Sequence, residues 1–320
     1  MDPSRRGSPI AAAGLTWWLW PRSTLALGWR RYTIEPATST GDIAWATVSP
    51  GGHRLAYVRG YGRGGQLWML DLRTHSQALL VPSSPRRGIG PPSFSPDAAW
   101  IYFNSAGRLE RVGALGGEPQ VLSDVAASGR FAVSPDGSQV AFIQNLAASS
   151  RLMVMRSDGS GARTLAERKA DSFVSGATLA WSPGGKRIAA VVQGPDGPFE
   201  DVVLVSAADG AMQRLGKFWA LNIWGVAWLP DNSGVILTAM TSGAAAGRLL
   251  TLALPGGAVR QISNNLALYT QPTLSRDGTA AALIVRRAEG GIWISPPNRW
   301  DAAAMVENQM YLFTALQGVA

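Results

Sequence analysis

The 320-residue chain contains no cysteine, which removes disulfides, thiolate nucleophiles and cysteine metal sites at the outset. Histidine is nearly as scarce, with His53 and His75 the two copies. Neither has a ligand set around it in sequence, and a catalytic metal commonly takes three protein ligands, so no metal or other cofactor is expected. No G-x-S-x-G nucleophile elbow occurs, and a serine hydrolase also needs a base and an orienting acid. Charged residues make up only 16% of the chain, and the net charge of +8 is almost all arginine, since Lys169, Lys186 and Lys217 are the lysines. The pairs Arg86-Arg87 and Arg286-Arg287 stand far apart in sequence. A nucleic-acid face needs clustered charge with stacking aromatics, so the arginines read as scattered and no nucleic-acid partner is expected. An apolar run of membrane-spanning length, about 20 residues, is also missing. Arg5-Arg6 precede an apolar run from Ile10 to Trp20 that Pro21-Arg22 interrupts. A basic start, a short apolar run and terminal tryptophans fit a degraded signal peptide or the outer end of a membrane anchor. Residues 1–27 are read as a tail outside the fold, with membrane contact through it.

Glycine and proline are plentiful, at 37 and 20 residues, and they recur in register. Ser134-Pro135-Asp136-Gly137 precedes an apolar run from Val140 to Ile143. Equivalent turns begin at Ser49, Ser95, Ser182, Leu229 and Ser275, so successive copies are 46, 39, 48, 47 and 46 residues apart. A fixed period of this length signals a repeat architecture. Proline presets the first central angle of a tight turn, and glycine accepts positive φ at no cost. Each turn separates runs rich in Val, Ile, Leu, Trp and Tyr, which read as strands. A second turn follows in each unit, as at Asp158-Gly159 and Asp209-Gly210, then a short closing run such as Arg163-Thr164-Leu165. The aspartates read as Asx-turn formers. Four hairpin-linked strands per unit make an antiparallel sheet that cannot bury both faces alone. Radial stacking buries them, which predicts an all-β, six-bladed β-propeller of four-stranded antiparallel blades.

Six copies of serine-proline-aspartate-glycine, strand, strand, turn and closing strand resemble the TolB-like repeat, over roughly residues 40–306. The departures are Gly51 and Gly184 for aspartate, Leu229 for serine and Arg276 for proline. The resemblance implies a six-bladed propeller that binds partners in the cell envelope. Ile262-Ser-Asn-Asn-Leu266 and Gly291-Ile-Trp-Ile294 are similar to propeller regions of bacterial transmembrane serine/threonine kinases and winged-helix regulators, in which an anchor precedes the first blade.

A propeller is a ring, so its ends must meet. Arg30 to Ile34 is expected to pair at the outer edge of the last blade, within a propeller spanning 28–320. Residues 306–320 track Leu215 to Ala227, which ends just before the fifth turn, so the chain reads as stopping where a further repeat would start.

With the first turn joining strands one and two and the second joining strands three and four, both turns lie on one face. The opposite face then carries the more varied segments. The hairpin Gly60-Tyr-Gly-Arg-Gly-Gly65 matches a dinucleotide fingerprint letter for letter, but a strand follows it where a helix is required. Aromatic and arginine side chains anchor interfaces, and loops on a rigid scaffold carry binding. The expected binding residues are therefore Tyr61, Arg63, Arg86, Arg87, Phe173, Trp219, Trp224 and Tyr269, taking a protein or small-molecule ligand. The expected role is a non-catalytic binding or sensor module, periplasmic or otherwise extracytoplasmic. One alternative is the substrate-filtering propeller of a prolyl-oligopeptidase-type serine peptidase without its hydrolase domain. A polysaccharide lyase on the same scaffold is disfavoured by the shortage of histidine.

Overall fold

The computed structural model of the chain describes residues 35–38, 42–85, 88–123, 130–169, 173, 179–193, 199–215, 220–241, 247–263, 268–288 and 308–314. Strand β1 (Glu35–Thr38) is set apart from the units that follow it. Five sheets are each built from four consecutive strands. The first is β2 (Ile43–Val48), β3 (Arg54–Arg59), β4 (Gln66–Asp71) and β5 (Gln77–Val81). The second is β6 (Ile89–Phe94), β7 (Trp100–Ser105), β8 (Arg108–Gly113) and β9 (Gln120–Ser123). The third is β10 (Phe131–Val133), β11 (Gln139–Asn145), β12 (Ser149–Arg156) and β13 (Arg163–Lys169). The fourth is β14 (Ala180–Trp181), β15 (Arg187–Gln193), β16 (Glu200–Ser206) and β17 (Met212–Arg214). The fifth is β18 (Asn222–Trp228), β19 (Gly234–Met240), β20 (Arg248–Ala253) and β21 (Val259–Gln261). The remaining strands, β22 (Leu268–Leu274), β23 (Ala281–Ala288) and β24 (Asn308–Thr314), form a sheet with β1 in the order β1-β24-β23-β22. The innermost strands touch in sequence order, β2 to β6, β10, β14, β18 and β22, and β22 returns to β2. This is a β-propeller of four-stranded antiparallel blades.

The second strand of each sheet explains the unbroken apolar runs. Along β3, Leu55 and Tyr57 enter the core shared with the last sheet, while Ala56 and Val58 enter the core shared with the second. Along β15, Ile188 and Ala190 face the third sheet, and Ala189 and Val191 face the fifth. Successive side chains of a strand point to opposite faces. A sheet covered on both faces therefore needs apolar residues at every position, not alternate ones. Full burial of each Leu, Ile or Val contributes about 1.5–3 kcal/mol.

The repeated turn is held by one set of hydrogen bonds. Gly137 N donates to Ser134 O at 2.9 Å, and Ser134 N donates to Gln139 O at 2.9 Å. Gln139 N donates to Ser134 Oγ at 2.9 Å, and Ser134 Oγ donates to Asp136 Oδ1 at 2.5 Å. The same serine–aspartate bond recurs in Ser95–Asp97 and Ser275–Asp277, and it holds all three carboxyls below the usual aspartate range. The fourth residue lies in the left-handed region in every copy, as at Gly137 (φ 74°), but also at Ala98 (φ 57°) and Asn232 (φ 60°).

Ring closure uses an N-terminal strand, as expected, at a shifted position. Glu35–Thr38 pairs with β24 at the sheet edge, whereas Arg30 to Ile34 lie outside the described residues. The expectation that the chain stops where a further repeat would start falls on residues 315–320, which lie outside the described residues. Asn308–Thr314 is the third strand of the last sheet, with Ala282 opposite Thr314 and Ala288 opposite Asn308. The physical reason is the ladder: β23 has a second edge of backbone N–H and C=O groups to satisfy. Residues 308–314 satisfy it and present their own far edge to β1.

Candidate functional site

A cavity of about 470 Å³ runs along the ring axis. Its lining follows the repeat register. Two residues before each turn's first residue stand Thr47, Ser93, Ala132, Ala180, Ala227 and Thr273, all lining the cavity. These positions hold small side chains because six inner strands converge there, and larger ones would fill the bore. One residue into each turn stand Pro50, Pro96, Pro135, Pro183, Pro230 and Arg276, which ring the mouth on the turn face. Trp181 and Trp228 also contribute to the wall. Trp181 Nε1 donates to Gly185 O at 2.9 Å, and Trp228 Nε1 donates to Ala180 O at 2.9 Å. Both indoles are thus fixed by the backbone they pack on.

Four residues before each turn the inner strands reach the other end of the bore. Trp45, Pro91, Arg130, Gly225 and Gln271 occupy this level among the described residues. Arg130 is only 7% exposed, and its guanidinium lies over the Trp45 ring, 4.6 Å from the centroid. Burial pulls its pKa from 12.5 down to about 9, so it remains cationic at neutral pH. Gln271 Nε2 donates to Ala44 O at 3.3 Å. Inner-strand pairing is irregular here, between Ile43 and Trp45, Ile89 and Pro92, Ile223 and Gly225, and Thr270 and Thr273. Gly225 is required for close approach, because a Cβ there would lie 2.5 Å from Pro272 Cδ.

Arg276 stands where the other five turns have proline. Its Nη2 donates to Pro135 O at 3.3 Å, and its backbone N donates to Pro50 O at 2.9 Å. The lining carries two cations, Arg130 and Arg276, and, among the described residues, no carboxylate, histidine or tyrosine. No group of three His, Cys, Asp or Glu side chains suited to a metal ion occurs among the described residues.

The sequence-predicted site residues lie elsewhere. Tyr61 and Arg63 are exposed in the β3–β4 hairpin, where Gly62–Gly64 forms a 3-10 turn. Tyr61 is 54% exposed, and its hydroxyl donates to Ile43 O at 3.4 Å. Phe173 and Tyr269 do not present a binding surface: each is 3% exposed and belongs to an inter-sheet core. Phe173 pairs with Val192 in an isolated bridge, and its N donates to Ser150 Oγ at 3.1 Å. Trp224 is half-buried, with its ring so close to Gly247 that a Cβ there would meet Cζ3 at 2.3 Å. It packs against backbone. Arg86, Arg87 and Trp219 lie outside the described residues. Sequence reasoning missed the axial residues, although counting from the turns would have found them. A tryptophan and an arginine fall four places before two of the turns, and Arg276 interrupts a run of prolines.

No protein-family model matches the chain, and no curated protein is similar to it in sequence. Solved structures are similar in fold. A TolB-type protein from Agrobacterium tumefaciens superposes with TM-score 0.60 at 17% identity, over 79% of this chain and 98% of that one. An oligogalacturonate lyase in complex with manganese superposes with TM-score 0.59 at 14% identity, over 89% and 93%. A chain of a nidogen/laminin complex superposes with TM-score 0.55 at 14% identity, over 82% and 99%. At these identities the likeness establishes the propeller fold alone.

Proposed function

We propose that the chain is a non-catalytic binding module, a closed six-bladed ring that takes its ligand in the axial cavity and acts in the bacterial cell envelope as a receptor or sensor. One observation carries this reading: the bore is lined by small residues, fixed indoles and two arginines rather than by groups that exchange protons near neutral pH. General acid–base catalysis draws on histidine, carboxylates, lysine, tyrosine or cysteine, and the described lining has none of these. A cavity of this volume sits within the usual range for small ligands. The envelope location is supported by the basic-then-apolar start of the sequence, Arg5-Arg6 followed by Ile10 to Trp20. Among the described residues no helix is long and apolar enough to cross a membrane. The nidogen/laminin neighbour supports a protein partner as a further reading, for which Tyr61 and Arg63 offer exposed side chains.

The test is a thermal-shift screen of small metabolites and short peptides on the whole chain, with each incubation analysed by mass spectrometry. Saturable stabilisation without product formation supports the reading. Ala180→Leu narrows the bore and should abolish that stabilisation while leaving the far-ultraviolet circular dichroism unchanged. A product formed at catalytic turnover would assign the chain to enzymes instead.

A further inference from the structure

The inner strands give the axial cavity two unlike sides. Two residues before each turn, the sixth, first and second sheets place Thr273, Thr47 and Ser93 on its wall, and the third, fourth and fifth place Ala132, Ala180 and Ala227 there. Each trio comes from consecutive sheets of the ring, so hydroxyls line one half of the bore and methyl groups the other. Trp181 and Trp228 stand on the alanine side, with their indole N–H groups engaged by Gly185 O and Ala180 O. Thr273 Oγ1 is engaged too: it accepts Val48 N at 3.1 Å and donates to Ala282 O at 3.4 Å. The Thr47 and Ser93 hydroxyls differ. Among the described residues neither has a hydrogen-bond partner, and neither oxygen is closed off from solvent, so the cavity they line is where each meets one. A polar group inside a fold is costly unless protein, water or a ligand satisfies it. Two such hydroxyls on neighbouring inner strands, facing an apolar wall, match the few placed polar groups that orient a small ligand in a cavity.

We propose that the cavity binds a neutral sugar, with hydroxyls along one edge of the ring bonded to Thr47 and Ser93 and its C–H surface packed on the alanine and tryptophan side. This rests on the reading of the bore as the ligand site and adds the chemical class of the ligand. A serine or threonine hydroxyl carries one donor and two acceptor positions. It therefore pairs with another hydroxyl in either sense, which suits a ligand rich in hydroxyls and free of charge. A sugar ring also presents C–H patches that lose nothing against an apolar wall. A hydrocarbon chain would leave both protein hydroxyls unmatched. The arginines of the lining have contacts of their own, Arg130 over the Trp45 ring and Arg276 with Pro135 O, so the choice of ligand falls to the two hydroxyls.

The experiment is isothermal titration calorimetry of the whole chain with three probes: methyl glucoside, octanoate and trialanine. Methyl glucoside is expected to bind most tightly. Thr47→Val and Ser93→Ala each remove one hydroxyl without adding bulk, and each should weaken it by roughly 3- to 10-fold, the loss of one hydrogen bond. Thr47→Ser keeps the hydroxyl and should bind as the parent does. Ala227→Ser adds a hydroxyl to the apolar side and should weaken binding as well, because the new group faces the C–H surface of the ring. Methyl glucoside binding that is unchanged in folded Thr47→Val and Ser93→Ala overturns the proposal. Ser93→Ala, at a half-buried position, decides the matter alone should Thr47→Val fail to fold. Preferred binding of octanoate or trialanine overturns it too, yet leaves the bore as a ligand site. If no probe binds while the metabolite screen finds a ligand without hydroxyls that is sensitive to Ala180→Leu, the sugar inference alone falls. A sugar found by that screen and weakened by Thr47→Val or Ser93→Ala sustains it. If neither assay finds a ligand, the binding reading falls with it.

Discussion

Arg276 and Pro135 are 141 residues apart in sequence, yet the Arg276 guanidinium donates to the Pro135 carbonyl at 3.3 Å across the mouth of the axial cavity. Their inner strands, β22 and β10, stand three steps apart in either direction around the ring. The contact therefore exists only because the ring is closed, and it places a cation on the axis.

Arg276 is exposed, so its loss should cost little stability. Arg276→Ala, which keeps the backbone N–H that donates to Pro50 O, is expected to change the unfolding free energy by no more than about 0.5 kcal/mol. Access to the bore should rise, seen as stronger acrylamide quenching of the tryptophans that line it, Trp181 and Trp228. A loss above about 2 kcal/mol with unchanged quenching would make Arg276 a structural strut.

Ala98 occupies the left-handed position that glycine fills in four of the six turns. A side chain there costs about 1–2 kcal/mol, offset in part by the contact of the Ala98 methyl with the core of the first two sheets. Ala98→Gly should raise stability by about 0.5–1 kcal/mol, and Gly137→Ala should lower it by about 1 kcal/mol, both by chemical denaturation.

Asp136 accepts from Ser134 Oγ at 2.5 Å, Ser138 N at 3.0 Å and Ser138 Oγ at 2.8 Å. Those bonds, the Ser134 one first, hold its carboxyl below the ordinary value of 3.8. A depressed folded pKa gives stability that is present above the unfolded pKa and lost as pH falls through the folded one. Denaturation midpoints should therefore drop below about pH 4. Asp136→Ala should flatten part of that drop and cost about 1 kcal/mol at pH 7.

Glu200 behaves in the opposite sense. Its Oε2 accepts Ile223 N at 2.5 Å, joining the fourth and fifth sheets, and burial raises its carboxyl above 4.5 although the Ile223 bond lowers it. Its proton is held more tightly in the folded state. The stability this confers is complete below the unfolded pKa and is lost as pH rises through the folded one. Glu200→Gln keeps an acceptor for Ile223 N and should remove that decline, leaving the variant more stable than the parent at pH 7. Glu200→Ala orphans a buried N–H and should cost about 1–3 kcal/mol.

The turns were legible because their chemistry is local. Ser134, Pro135, Asp136 and Gly137 satisfy one another within four residues, and each copy announces itself. The strand runs were legible because burial on both faces demands apolar residues at consecutive positions, as in Val140 to Ile143. The exposure of the expected binding residues was not. Phe173 and Tyr269 carry side chains suited to interfaces, but whether an aromatic faces solvent or a neighbouring sheet depends on how the sheets stack, and both were buried.

Repeat period, turn type, strand pattern and the absence of cysteine are properties of the residue order, and the amino-acid sequence alone determined them. Tertiary structure alone decided that Arg130 stacks on Trp45, that Arg276 reaches Pro135, and that Asn308–Thr314 completes the last sheet. These relationships join residues distant along the chain. They form only when the inner strands converge on an axis and the ring brings its two ends into one sheet.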